Sequence, residues 1–98
     1  MNISAIVIFL SEEDGGRRAP IMSGYRPTLL LNESEASDCM ITFPDTPMVC
    51  PGNAHSVVNI TILHPNLVPS LDVDCEFGLF EGIRQIGVGR VTQLSQIN

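Results

Sequence analysis

The chain has 98 residues, enough for one domain with a modest core, and 44% of them are apolar. Eleven carboxylates face five arginines and no lysine, a net charge of −6. That balance disfavours non-specific nucleic-acid binding, and the missing lysine excludes a P-loop nucleotide site.

In chain order, the first apolar run, Ile3–Leu10, reads as a buried strand. It is not expected to be a signal peptide: a basic start is missing, the uninterrupted apolar part is only Ala5–Leu10, and "SEED" follows directly. Nothing in the chain is long enough to cross a membrane, so a cytoplasmic protein is expected. "SEEDGG" (11–16) lacks the alternating carboxylates and distal Glu of a calcium loop and reads as a solvated turn.

"DGGRRAPIMSGYRP" (14–27) is too broken by Gly and Pro to be helix or strand throughout, and is expected to join the first two strands. Further β-rich runs follow at Thr28–Asn32, Cys39–Phe43, Met48–Cys50, Ala54–Leu63, Cys75–Phe80 and Gln85–Leu94. Between them "PDTP" (44–47), "CPGN" (50–53) and "LHPN" (63–66) set Pro where a central strand could not continue. In "VVNITIL" (57–63), Val58, Ile60 and Ile62 face one way, and Asn59, Thr61 and Leu63 the other. "DVDCE" (72–76) alternates carboxylates, as on a solvent-facing edge strand that discourages aggregation. Gly87 and Gly89 interrupt the last run, as at a bulge or barrel corner. With no helical pattern of ten residues or more, the chain is expected to be all-β, a small antiparallel barrel or sandwich spanning 1–98.

Chemistry-bearing patterns are sparse. Cys39, Cys50 and Cys75 are odd in number and contain no C-x-x-C, so three reduced thiols are expected. His55 and His64 are nine positions apart and supply no metal-ligand spacing. "GVGRV" lacks the third Gly of a dinucleotide fingerprint, and no G-x-S-x-G occurs. No enzyme, cofactor or metal site is expected.

Four blocks in order do carry a signal: "FLSEEDGGRRAPIMSGYRP" (9–27), "MVCPGN" (48–53), "ILHP" (62–65) and "EGIRQIGVGRV" (81–91). Together they resemble the C-terminal, third domain of translation elongation factor Tu, whose blocks read L-S-x-E-E-G-G-R-H-T-P, G-Y-R-P-Q-F, M-V-M-P-G-D-N, L-I-x-P and E-G-G-R-T-V-G-A-G-V-V. The likeness spans residues 4–94, with a gap around 36–47. It implies a closed antiparallel six-stranded β-barrel, here as a stand-alone domain without the family's GTPase domain, so no GTP binding is expected of this chain.

In the family this domain touches the T-stem backbone of aminoacyl-tRNA, the GTPase domain and the nucleotide-exchange factor. Carried over, the RNA contacts implied by the resemblance fall on Arg17, Arg18, Thr28, Ser37 or Asp38, His64, Glu81 and Gly82. Arg18 replaces a His with a stronger phosphate donor, Thr28 is shorter than the family's Gln, and a carboxylate at 38 would repel phosphate. The plainer alternative for Arg17 and Arg18 is a solvated hairpin with ion pairs to Glu12, Glu13 or Asp14. Two functions follow: an interaction module for a protein or RNA of the translation apparatus, or a weak tRNA-binding accessory factor. A barrel with no specific ligand is a third. A face left uncovered by the absent GTPase domain is expected to be repolarised or used for association, for example in a homodimer.

Overall fold

In the computed structural model, which describes residues 1–95, the sixth strand in chain order shows how the sequence dictates the architecture. This strand, β6 (His55–Ile62), buries Val58, Ile60 and Ile62 and leaves Val57 and Asn59 exposed, the predicted alternation. The first strand, β1 (Asn2–Phe9), turns Ile3, Ala5, Val7 and Phe9 inward in the same way. The other strands are β2 (Ile21–Met22), β3 (Thr28–Asn32), β4 (Glu35–Thr42), β5 (Met48–Val49), β7 (Glu76–Glu81) and β8 (Arg84–Leu94).

Six of them form a closed antiparallel barrel in the order β1-β6-β4-β3-β7-β8, with β8 returning to pair with β1. The expected choice between barrel and sandwich thus falls to the barrel. Its interior is aliphatic, with Phe9 and Phe43 packed edge to face at a centroid distance of 6.1 Å. Val68 and Leu71, from the segment after β6, are buried with the same core.

The register shifts where Leu79 faces Gly87 but Phe80 faces Gln85, so Ile86 is the extra residue of a bulge. That bulge lets Ile86 and Gly87 both be buried, which strict alternation forbids. The expectation that glycines mark a bend in the last strand is met here. A second register shift, between Ser4 and Ala5, leaves Thr92 as an extra residue on β8.

Three sequence expectations are corrected. The 14–27 stretch does not merely connect: Ile21 and Met22 pair with Val49 and Met48 in a two-stranded ribbon outside the barrel. Strand β4 begins at Glu35 rather than Cys39, because the Asn32–Glu35 turn lets Ala36, Ser37 and Asp38 pair with Leu30, Leu29 and Thr28. "DVDCE" is largely a turn, with Asp74 at φ 71° and β7 starting only at Glu76, and the closed barrel leaves it no edge to guard. "SEEDGG" is a solvated turn through Gly15, as expected, with a short 3-10 segment at Glu12–Asp14, but Gly16 is buried.

Candidate functional site

Gly16 fixes the start of the site. It is buried against Leu10, its N–H donates to the Ser11 carbonyl at 2.8 Å, and a Cβ there would run into the Leu10 carbonyl. The acidic turn is tied down separately: Asp14 accepts from Ser11 Oγ at 3.1 Å and from Asn53 Nδ2 at 2.6 Å. Chain direction and side-chain supply are thereby set for the residue that follows, Arg17.

Arg17 does not pair with the neighbouring carboxylates as the local alternative supposed. Its Nη1 lies 3.4 Å from Glu81 Oε1, and its guanidinium sits 4.9 Å above the Tyr25 ring. The side chain is only 24% exposed. Glu81 closes β7 and faces Arg84 across a two-residue hairpin whose Gly82 has φ 58°, a conformation only glycine adopts freely. Ile83 at the hairpin tip is fully exposed.

Tyr25 completes the cluster. The backbone between Gly24 and Pro27 is held by a bridge to Ile41, with Tyr25 O accepting from Ile41 N at 2.8 Å. The ring's hydroxyl oxygen is buried with no hydrogen-bond partner of good geometry among the described residues. Burial first, and then the Glu81 carboxylate, raise this hydroxyl well above the ordinary tyrosine range. The pairing is invisible in a linear reading, since the participants are 64 positions apart; the sole tyrosine, set in "GYRP", was its one signal.

The other implied residues lie along one row of strand neighbours. Phe80 faces Thr28, Thr28 faces Asp38, and the Asp38 carbonyl accepts from Leu63 N at 3.0 Å. Glu81 and His64 are one residue beyond the two ends of that row, which runs from β7 through β3 and β4 to β6, half-way round the closed barrel. Thr28 Oγ1 donates to Asp38 Oδ1 at 3.3 Å. Ser37 is buried, donates to the Asp38 carbonyl at 2.9 Å and accepts from His64 N at 3.0 Å, so it pins the backbone. Arg18 is exposed and has no ion-pair partner among the described residues.

A second surface went unread in the sequence. The outward residues of β1 include Ile6 and Ile8, and they line an open groove with Val88, Leu30 and the side-chain-free Gly78, flanked by the polar Glu76, Gln85 and Arg90. His55, Ile8, Val88, Gly78 and Leu30 follow one another across five strands. Its signal was "AIVIF", apolar on both faces, where a barrel wall wetted outside should alternate.

Among the described residues no three His, Cys, Asp or Glu side chains are grouped to hold a metal ion. Nor is any helix long and apolar enough to cross a membrane. All three cysteines are free, and burial pushes the Cys39 thiol up to about 12. A family model described as "Elongation factor Tu C-terminal domain" matches residues 1–95.

Proposed function

The chain belongs to the elongation factor Tu C-terminal domain family, and from that premise we propose that it is a non-catalytic interaction module that binds a protein component of the translation apparatus. The matched domain is the factor's non-catalytic one, and its family ties it to translation. Work in the cytoplasm, without a cofactor, accords with that role.

The observation that favours a protein partner is the apolar row of Ile8, Val88 and Leu30 on the outer wall. Apolar side chains facing outward on several strands, rimmed by Glu76, Gln85 and Arg90, suit a docking surface better than a wetted wall. The residues implied for RNA contact argue the same way. Arg17 is engaged by Glu81, Thr28 by Asp38, and the chain carries −6. A second copy of the chain is one occupant such a face accepts.

The tRNA reading has one observation in its favour. Arg17, Glu81 and Gly82 are neighbours at the end of β7, Thr28 lies opposite the preceding Phe80, and Arg18 has no ion-pair partner among the described residues. Two or three phosphate contacts of this kind would give weak, steeply salt-sensitive binding.

Affinity capture from cell extract, read by mass spectrometry, tests the proposal. Translation proteins should be enriched on the wild type and lost on Val88→Asp. Enrichment of tRNA alone, weakened by Arg17→Ala and Arg18→Ala and by salt, would replace it with the second reading. Light scattering separates the self-association variant, since Val88→Asp should convert a dimer to a monomer.

A further inference from the structure

We propose that the outer face of β7 and β8 is self-complementary, and that a second copy of the chain docks on it about a two-fold axis running along these strands. This rests on the reading of the groove as a docking surface and commits that surface to one occupant.

The register carries the proposal. The outward residues of the two strands stand opposite one another in three pairs: Glu76 with Arg90, Gly78 with Val88, and Phe80 with Gln85. Their neighbours Phe77, Leu79 and Val91 are buried, which fixes the outward direction by alternation. The first pair sets an acid against a base, and the second sets bare backbone against a branched side chain. Half a turn about an axis along the strands lays β7 of each copy over β8 of the other. Glu76 then meets Arg90 of the second copy, and Val88 seats over Gly78 of the second copy, each contact occurring twice. The match continues outward: Leu30 stands beside Gly78 and Ile8 beside Val88, so the same rotation places Leu30 over Ile8 of the second copy. An axis across the strands lays β7 on β7 and matches none of these pairs. Strands kept nearly aligned are also the usual way for two sheets to pack face to face.

The groups concerned are available. Glu76 has no ion-pair partner among the described residues, although Arg90 stands opposite it. Arg90 is held only loosely, 3.7 Å from Asp74, with both side chains more than half exposed. Val88 is exposed. Over Gly78 the floor is main chain, and the Phe80 ring edge and the Gln85 amide wall one side of the notch. Each copy carries −6, so these contacts act against a general repulsion, and the dimer should be weak, with a Kd in about the micromolar range.

The experiment is light scattering over a concentration series on wild type, Glu76→Arg, Arg90→Glu, an equal mixture of those two, and both swaps in one chain. Wild type should rise from 10.6 kDa towards twice that mass. Each single swap opposes like charges at both ends of the interface and should weaken association by at least about tenfold. In the mixture opposite charges meet again at both ends, so the dimer mass should return. The doubly swapped chain should dimerise with itself, and it carries the test if a single swap fails to fold.

A wild type still at 10.6 kDa at about 1 mM overturns the proposal. So does a dimer that both single swaps leave intact, or a mixture of folded single swaps that stays monomeric. The docking reading is judged separately, by capture from extract. Translation proteins lost on Val88→Asp uphold it even if wild type never dimerises, and their absence sinks it even if every swap behaves as expected.

Discussion

Phe77 lies directly across the β7–β8 ladder from Gly89, and its ring fills the space that a side chain at Gly89 would need. A Cβ there would stand 2.5 Å from Phe77 Cζ and 2.9 Å from Val7 Cγ2. Both neighbours are buried, so neither can step aside into solvent. Gly89→Ala is expected to destabilise by about 1–3 kcal/mol through overpacking. That corresponds to a melting-temperature drop of roughly 5–20 °C for a domain of this size. Thermal unfolding by circular dichroism checks it, and adding Phe77→Leu should recover part of the loss.

Gly16 offers a sharper case, because the obstacle is main chain rather than ring. A Cβ there meets the Leu10 carbonyl, which cannot rotate away without disturbing the end of β1. Gly16→Ala should cost about 3 kcal/mol and shift the emission of Tyr25, since Arg17 follows immediately. An unchanged emission spectrum with full stability would show that the loop accommodates the methyl group.

The buried Cys39 thiol, raised to about 12, predicts alkaline sensitivity. Its folded-state value lies above the unfolded one, so its contribution is complete below the ordinary thiol range, about 8.5, and is lost as pH climbs toward 12. The slope from this group is at most about 1.4 kcal/mol per pH unit. Cys39→Val should flatten the fall between pH 9 and 11 in urea titrations. A remaining decline above about pH 10 is expected from Tyr25, which is raised in the same sense.

Glu35 predicts the opposite limb. Its carboxylate accepts from Asn32 Nδ2 at 2.9 Å and from Ser70 N at 2.8 Å, and these bonds hold it below the usual carboxylate range, the Asn32 contact first. A lowered folded-state value means a contribution present above the ordinary range, about 4.3, and lost as pH falls through the folded value. Wild type should therefore lose more of its urea midpoint between pH 7 and pH 3.5 than Glu35→Gln does. Equal losses would remove Glu35 from the acid limb.

Strands and turns were legible where local pattern and tertiary role coincide. "VVNITIL" alternates because one side of β6 lines the core, and "CPGN" turns because Pro and Gly permit little else. The ribbon strand Ile21–Met22 was not legible, since two residues carry no period and only the partner at Met48–Val49 makes them a strand. At the candidate site, the resemblance supplied Arg17 and Glu81 one by one. It did not supply their contact, which depends on how β7 and the loop after β1 meet in the closed barrel. The carboxylates at 12–14 were nearer in sequence, yet the Gly15–Gly16 turn carries Arg17 past them.

Strand β1 takes β6 on one edge and β8 on the other. Of the barrel's strands, β1 is synthesised first and its second partner, Arg84–Leu94, last. Until then the row Ile3, Ala5, Val7 and Phe9 has half its shelter and one bare line of amides, the condition in which a nascent chain pairs with strangers. Closure is a long-range event by construction, so folding should be slow for so small a protein and should depend on what shields that edge in the interval.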